Sequence, residues 1–256
     1  MKNRLLPLLL CIIFLSACTK NNTAKSDNRS DMDAQLTPQP HSVTLSDTAS
    51  SDNYYGEPEL TVTQTVAYIF ATDSGKVLYT ACEYKNNSHM PCIIDNVIYH
   101  ISIGEKNVDV KADQPASEYC VISPGKAFYN AAWTDTDASA DVDIKIESVE
   151  INVKPSEAKC IEITGDKLYI VRNYPSFASV SGELISTDDA KINLIYIGFY
   201  DAADKLIGVW CASEPSTLAA GNRSHFTMHM KDLPIDDLEN TTQRMNLTGF
   251  GYNSDQ

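Results

Sequence analysis

His225 and His229 stand four residues apart, the spacing that on a helix would offer two imidazoles to one metal ion. Phe226, Thr227 and Met228 lie between them, so the glutamate of a zinc-protease helix is missing. The segment also alternates as a strand, with Phe226, Met228 and Met230 on its apolar side. Four residues of strand span about 13 Å, too far for one ion, and the expectation is two solvent-facing histidines. Asp135, Asp137, Ser139, Asp141 and Asp143 alternate like the start of a calcium loop. The required glycine is Ala140 and the closing glutamate is Ile146. The stretch reads as a solvated hairpin loop, with a weak cation site at Asp135, Asp137 and Asp141 as its second reading.

Cysteine is the other reactive residue. Cys82, Cys92, Cys120, Cys160 and Cys211 follow Cys18. Five is odd, so at least one is not bridged within the chain. A disulfide inside the Cys82–Cys92–Cys120 trio and buried thiols packed as small apolar residues both remain open. Trp133, Trp210 and 13 tyrosines could line a carbohydrate-binding face or fill a core. Nothing in the chain has the pattern of a nucleophile elbow, a phosphate loop, a dinucleotide turn or a Cys-x-x-Cys clamp. No cofactor is implied.

The elements that would position these groups begin after a different kind of segment. Lys2 and Arg4 precede an apolar run from Leu5 to Phe14, followed by Leu15-Ser16-Ala17-Cys18. A basic start, a short apolar run and small residues make a signal peptide over residues 1–17. The run is shorter than the roughly 20 residues that span a bilayer. Leu15-Ser16-Ala17-Cys18 resembles the lipobox of bacterial lipoproteins. The resemblance implies cleavage before Cys18 and a diacylglyceryl thioether on its sulfur, and two acyl chains hold a protein on a membrane where one is marginal. From Cys18 to Pro58 the chain is rich in Asn, Ser, Thr, Asp, Gln and Pro and has no apolar face. It reads as a flexible tether with a reach of roughly 35 Å, with Tyr54 and Tyr55 resting on the first domain.

The net charge is −14, and loss of Lys2 and Arg4 with the leader makes it −16. That balance excludes nucleic acid, whose binders need a basic face, and docking on anionic lipid by charge alone.

Beyond Pro58, runs rich in Val, Ile, Thr, Tyr and Phe alternate as strands. They cover Leu60–Ala71, Val77–Tyr84, Ile93–Ile103, Lys126–Trp133 and Val142–Val153, then Ile161–Thr164, Leu168–Arg172, Ser179–Ser186, Lys191–Tyr200, Leu206–Cys211, Arg223–Met230 and Arg244–Tyr252. Leu233–Asn240 can form a helical turn or two. The two sets align. Cys82-Glu83-Tyr84 matches Gly182-Glu183-Leu184, Val97 and Tyr99 match Ile197 and Phe199, Ser117-Glu118 matches Ser213-Glu214, and Ile122–Gly125 matches Leu218–Gly221. Ordered matches of this kind indicate a duplicated unit. The expected architecture is all-β, two tandem immunoglobulin-like sandwiches over residues 59–153 and 154–256.

Ile197-Gly198-Phe199-Tyr200-Asp201, Lys205-Leu206-Ile207-Gly208, Leu218-Ala219-Ala220-Gly221 and Phe226 resemble the FxLYD domain of bacterial envelope lipoproteins, clearly over about residues 178–252 and faintly over about 60–153. Ile197 replaces the family phenylalanine, Asp204 stands where the turn glycine would be, and the first half has Tyr99-His100-Ile101 in place of Tyr-Asp. The resemblance implies an immunoglobulin-like fold outside the cytoplasm and no defined chemistry. It makes Ile197, Phe199, Tyr200, Asp201, Gly221 and Phe226 structural residues.

Together these readings describe a lipid-anchored, extracytoplasmic, non-enzymatic binding or interaction module. Its partner is the membrane through Cys18 and an unidentified protein, wall polymer or small ligand. A structural spacer or accessory subunit of an envelope complex is the alternative, and a hydrolase the least supported one.

Overall fold

The computed structural model describes residues 58–112, 120–174, 177–214, 217–231, 235 and 237–252. The signal peptide, Cys18, the tether and Tyr54 and Tyr55 lie outside them. The described chain is almost entirely antiparallel β structure.

The first seven strands are β1 (Leu60–Thr72), β2 (Gly75–Asn86), β3 (Cys92–Ile103), β4 (Lys106–Ala112), β5 (Val121–Ile122), β6 (Ala127–Asp135) and β7 (Ile144–Pro155). They form a sheet ordered β1-β2-β6 and a second in which β3 pairs β4 and β5 on one side and β7 on the other. Between the sheets, Tyr99 on β3 donates to Asn130 Oδ1 of β6 at 2.9 Å, beside the Cys82 sulfur of β2. Val97 and Tyr99 have no exposure and Ile101 almost none, because alternate residues of a strand share one face.

The later strands are β8 (Ile161–Tyr174), β9 (Phe177–Ser186), β10 (Ile192–Tyr200), β11 (Leu206–Glu214), β12 (Arg223–Lys231) and β13 (Arg244–Tyr252), with one helical turn, α1 (Leu238–Thr241), before the last. They form one sheet ordered β11-β10-β13-β8-β9-β12. The pairing order of the first half recurs here. β8-β9-β12 repeats β1-β2-β6, and β10 between β11 and β13 repeats β3 between β4 and β7. The sequence matches fall on equivalent strands, Cys82 with Gly182 on β2 and β9, Val97 and Tyr99 with Ile197 and Phe199 on β3 and β10.

Three stretches differ from the sequence expectation, the short β5 (Val121–Ile122) being one that was not expected. Ile161–Thr164 and Leu168–Arg172 belong to the single strand β8, because pairing with β9 continues through a bulge at which Lys167 has φ +51°. β4 was not expected from the charged run Lys106–Ala112, yet Val110 and Ala112 are buried on its inner side. Gly104 at φ +58° makes the turn that returns β4 against β3. The signal was there in the alternation Val108-Val110-Ala112.

The halves stack. The outer face of β1-β2-β6 lies on the outer face of β10, β11 and β13, so β2 and β10 are buried on both sides. Tyr79 and Cys82 are fully enclosed although they point in opposite directions, as are Ile197 and Tyr200.

Candidate functional site

The densest polar arrangement lies in this seam. Alternation puts Tyr79 and Glu83 of β2, Gln64 and Tyr68 of β1 and Tyr129 of β6 on the face turned to the second half. Opposite them stand Tyr196, Gly198 and Tyr200 of β10 and Asn246 of β13. Tyr129 and Tyr200 bring their hydroxyls to 2.6 Å, Tyr200 reaches Glu83 Oε2 at 3.0 Å, and Asn246 Nδ2 reaches the Tyr129 oxygen at 2.7 Å. The proton order follows from donor capacity. Glu83 as a carboxylate only accepts, so Tyr200 donates to it, Tyr129 donates to Tyr200, and the Asn246 amide donates to Tyr129. Arg244 covers the Tyr200 ring with its guanidinium carbon 3.6 Å from the centroid and pairs with Asp204 at 2.7 Å. Gly198 is required by this contact. A Cβ there would meet the Tyr129 ring at 2.6 Å.

Burial pushes the Glu83 carboxyl above its usual value, and the Tyr200 hydrogen bond and Arg244 only partly offset it. A carboxyl raised in the folded state binds its proton more tightly folded than unfolded. Its stabilising contribution is complete below the unfolded pKa and is lost as pH rises through the folded one. Glu83→Gln removes this dependence. The melting temperature of the variant relative to wild type should therefore rise as pH increases upward from the ordinary carboxyl range, read by paired thermal melts. A flat difference would show that Glu83 titrates in the seam as it does in water.

The same face closes a sheet edge. β11 pairs only with β10. The Val209 N–H donates to the Tyr79 hydroxyl at 2.6 Å, and that hydroxyl donates to the Val209 carbonyl at 2.7 Å. Tyr68 donates to the Ile207 carbonyl at 3.0 Å, and the Leu206 N–H donates to Gln64 Oε1 at 2.6 Å. An open strand edge invites foreign pairing, and here first-half side chains satisfy it.

The residues that carry the sequence resemblance occupy the following positions. Ile197 and Phe199 face the second half's own core with Ile195, and Phe226 is buried with them. Tyr200 enters the seam. Asp201 Oδ1 accepts from the Ala203 and Lys205 N–H groups at 2.8 and 3.0 Å, which closes the turn in which Asp204 adopts φ +59°. Gly221 has φ +70° and donates to the Ser186 carbonyl. His225 and His229 are exposed on the outer side of β12. Asp135, Asp137 and Asp141 are exposed at the end of β6 and in the loop after it. Among the described residues no three His, Cys, Asp or Glu side chains gather where they could hold an ion.

The five described cysteines are thiols. Burial pushes Cys82 and Cys120 up to about 12 and Cys92 up to about 11. A nucleophilic thiol needs the opposite shift. Trp133 meets Trp210 edge to face at 5.4 Å and Tyr79 at 5.2 Å at the rim of the seam, with 39% of Trp133 exposed. A polar cleft of about 400 Å³ opens where Gly165–Leu168 faces Thr242–Met245, and its Asp166 and Arg244 already hold ionic partners.

Sequence reasoning placed Phe199 inward and Asp201 in the turn but missed the seam. Its one signal was that Tyr196, Gly198 and Tyr200 put aromatics around a glycine on the face opposite the core. No protein-family model matches the chain, and no curated protein or solved structure matches it.

Proposed function

We propose that this chain is a lipid-anchored lipoprotein of the bacterial envelope whose folded part is a non-enzymatic binding or interaction module outside the cytoplasm. The observation that carries the reading is Leu15-Ser16-Ala17-Cys18 behind a basic, apolar leader. The folded part supports it. Its tyrosines, Glu83 and Arg244 are spent on holding two halves in one orientation, and a fixed double module suits presentation of a surface to a partner. The finer architecture we propose is two immunoglobulin-like sandwiches over residues 59–153 and 154–256, the second FxLYD-like. The recurring order β1-β2-β6 against β4-β3-β7 supports it, since immunoglobulin sandwiches pair strands A, B and E in one sheet and C and F in the other.

The test is fractionation of cells expressing Cys18→Ala. The variant should leave the membrane fraction or accumulate with its leader uncleaved. A Cys18→Ala protein of mature size that stays on the membrane would remove the anchor from the reading.

A further inference from the structure

Two cysteines stand where the halves are joined. Cys160 lies on the link between β7 and β8, and its thiol donates to the Val121 carbonyl of β5 at 2.9 Å. Val121 directly follows Cys120. Cys160 is half-buried and Cys120 is 8% exposed, so Cys160 is the thiol an oxidant meets first. The same joint is tied twice more. Lys126, just ahead of β6, pairs with Glu162 of β8 at 2.9 Å, and the Ser156 N–H donates to the Pro91 carbonyl at 3.0 Å.

The geometry points to a disulfide between Cys120 and Cys160 that staples the first half to the second. Register and exposure set the other pairings aside. Cys82 and Cys92 have no exposure, and disulfide exchange needs access to at least one thiol. They also lie far apart. The Cys82 sulfur sits 3.3 Å from the Tyr99 hydroxyl. Cys92 is seven residues from Tyr99 along β3, about 23 Å of strand, and a tyrosine side chain spans only a fraction of that. Cys92 pairs with Ile122 and Ile93 with Val121, so the same register continued sets Cys120 opposite Ile94. Cys92 and Cys120 are then diagonal neighbours, about 7–8 Å apart, beyond the roughly 4.4–6.8 Å that a disulfide takes between Cα atoms. Cys211 is exposed, but its cross-strand neighbour is Tyr196, and neither β10 nor β11 carries another cysteine.

The bond forms by exchange with an oxidant that is itself a disulfide. The Cys160 sulfur attacks one sulfur of the oxidant and expels the other as a thiolate, which takes up a proton. The Cys120 sulfur then attacks Cys160, and the oxidant's remaining sulfur leaves and is protonated. Two protein thiols give up two protons and two electrons, and one oxidant disulfide becomes two thiols. Burial holds the Cys120 thiol up at about 12, with the Cys160 charge adding to it. Burial also raises Cys160, against the opposing pull of Ser123 and Lys126. Such thiols exchange slowly, which suits a structural bond made once and not a catalytic one. The loop it closes, residues 120–160, holds β6 and β7, so the bond restrains a long stretch of the unfolded chain. In the folded state it fixes the link on which the halves would pivot.

The inference rests on the reading of this chain as an envelope lipoprotein only for where the bond forms, since the envelope supplies an oxidising compartment. The two fail separately. Membrane fractionation of Cys18→Ala tests the anchor. The bond is tested on the purified full chain, reduced and then incubated with oxidised glutathione at mildly alkaline pH. Remaining thiols are alkylated in denaturant and the peptides mapped by mass. We expect a linked Cys120–Cys160 peptide with Cys82 and Cys92 alkylated, and a melting temperature about 5–15 °C above that of the reduced chain. Cys160→Ser should abolish the link and the shift, and Cys211→Ser should keep both. Glutathione held on Cys160 with Cys120 still alkylated overturns the proposal, as does any other linked pair. A linked chain that melts at or below the reduced one also overturns it, because the bond would then distort the joint.

Discussion

Phe199→Ala should cost about 3–5 kcal/mol, the range for truncating a buried phenylalanine when its surroundings only partly close the cavity. Phe199 is 2% exposed and shares its side of β10 with Ile195 and Ile197, themselves at 1% and 0%. Neighbouring positions cannot fill the gap, because Met245 and Gly208 across the two ladders are held by their own strands. A typical domain is stable by roughly 5–15 kcal/mol, so the variant should lose a large part of its margin and melt early or fail to fold. The measurement is urea denaturation by circular dichroism beside wild type. A Phe199→Ala midpoint equal to wild type would mean that Phe199 is not enclosed as its 2% exposure requires. The neighbouring Tyr200 separates two contributions. Tyr200 is buried with its hydroxyl bonded to Tyr129 and Glu83. Its truncation therefore strands two polar partners as well as removing a ring, and it is not the mild change that an outward tyrosine would give.

Tyr79→Phe should be the costliest single-atom change in the protein. One hydroxyl oxygen satisfies both the N–H and the carbonyl of Val209, and both Tyr79 and Val209 are buried. Each buried backbone group left without a partner costs about 1–3 kcal/mol, so the expected loss for two is about 2–6 kcal/mol. Tyr68→Phe strands the Ile207 carbonyl alone and should cost about half as much. The ranking is the test, since the two substitutions remove the same atom and differ only in how many β11 groups depend on it. Equal midpoints for Tyr79→Phe and wild type would show that β11 keeps its edge satisfied without the first half. Faster β11 amide exchange in Tyr79→Phe would locate the loss.

Alternation alone placed most of the strands, because a strand with one buried side must put apolar residues at every second position. It also set the inward face of β10, since Ile195, Ile197 and Phe199 form its uniformly apolar row, and ordered matches between the halves placed equivalent strands in order. Asp204 was legible as a turn residue because few residue types other than glycine accept a positive φ, and Asp is among those that do. What sequence periodicity could not show is which polar or aromatic side chains meet across sheets. Glu83 and Tyr200 are 117 residues apart and Tyr79 and Val209 are 130 apart, and their meeting depends on two sheets stacking at one angle and offset. Tyr196 and Tyr200 have the composition of a solvent-facing row as readily as of a buried one, and only the opposing Tyr129 and Gly198 decide it.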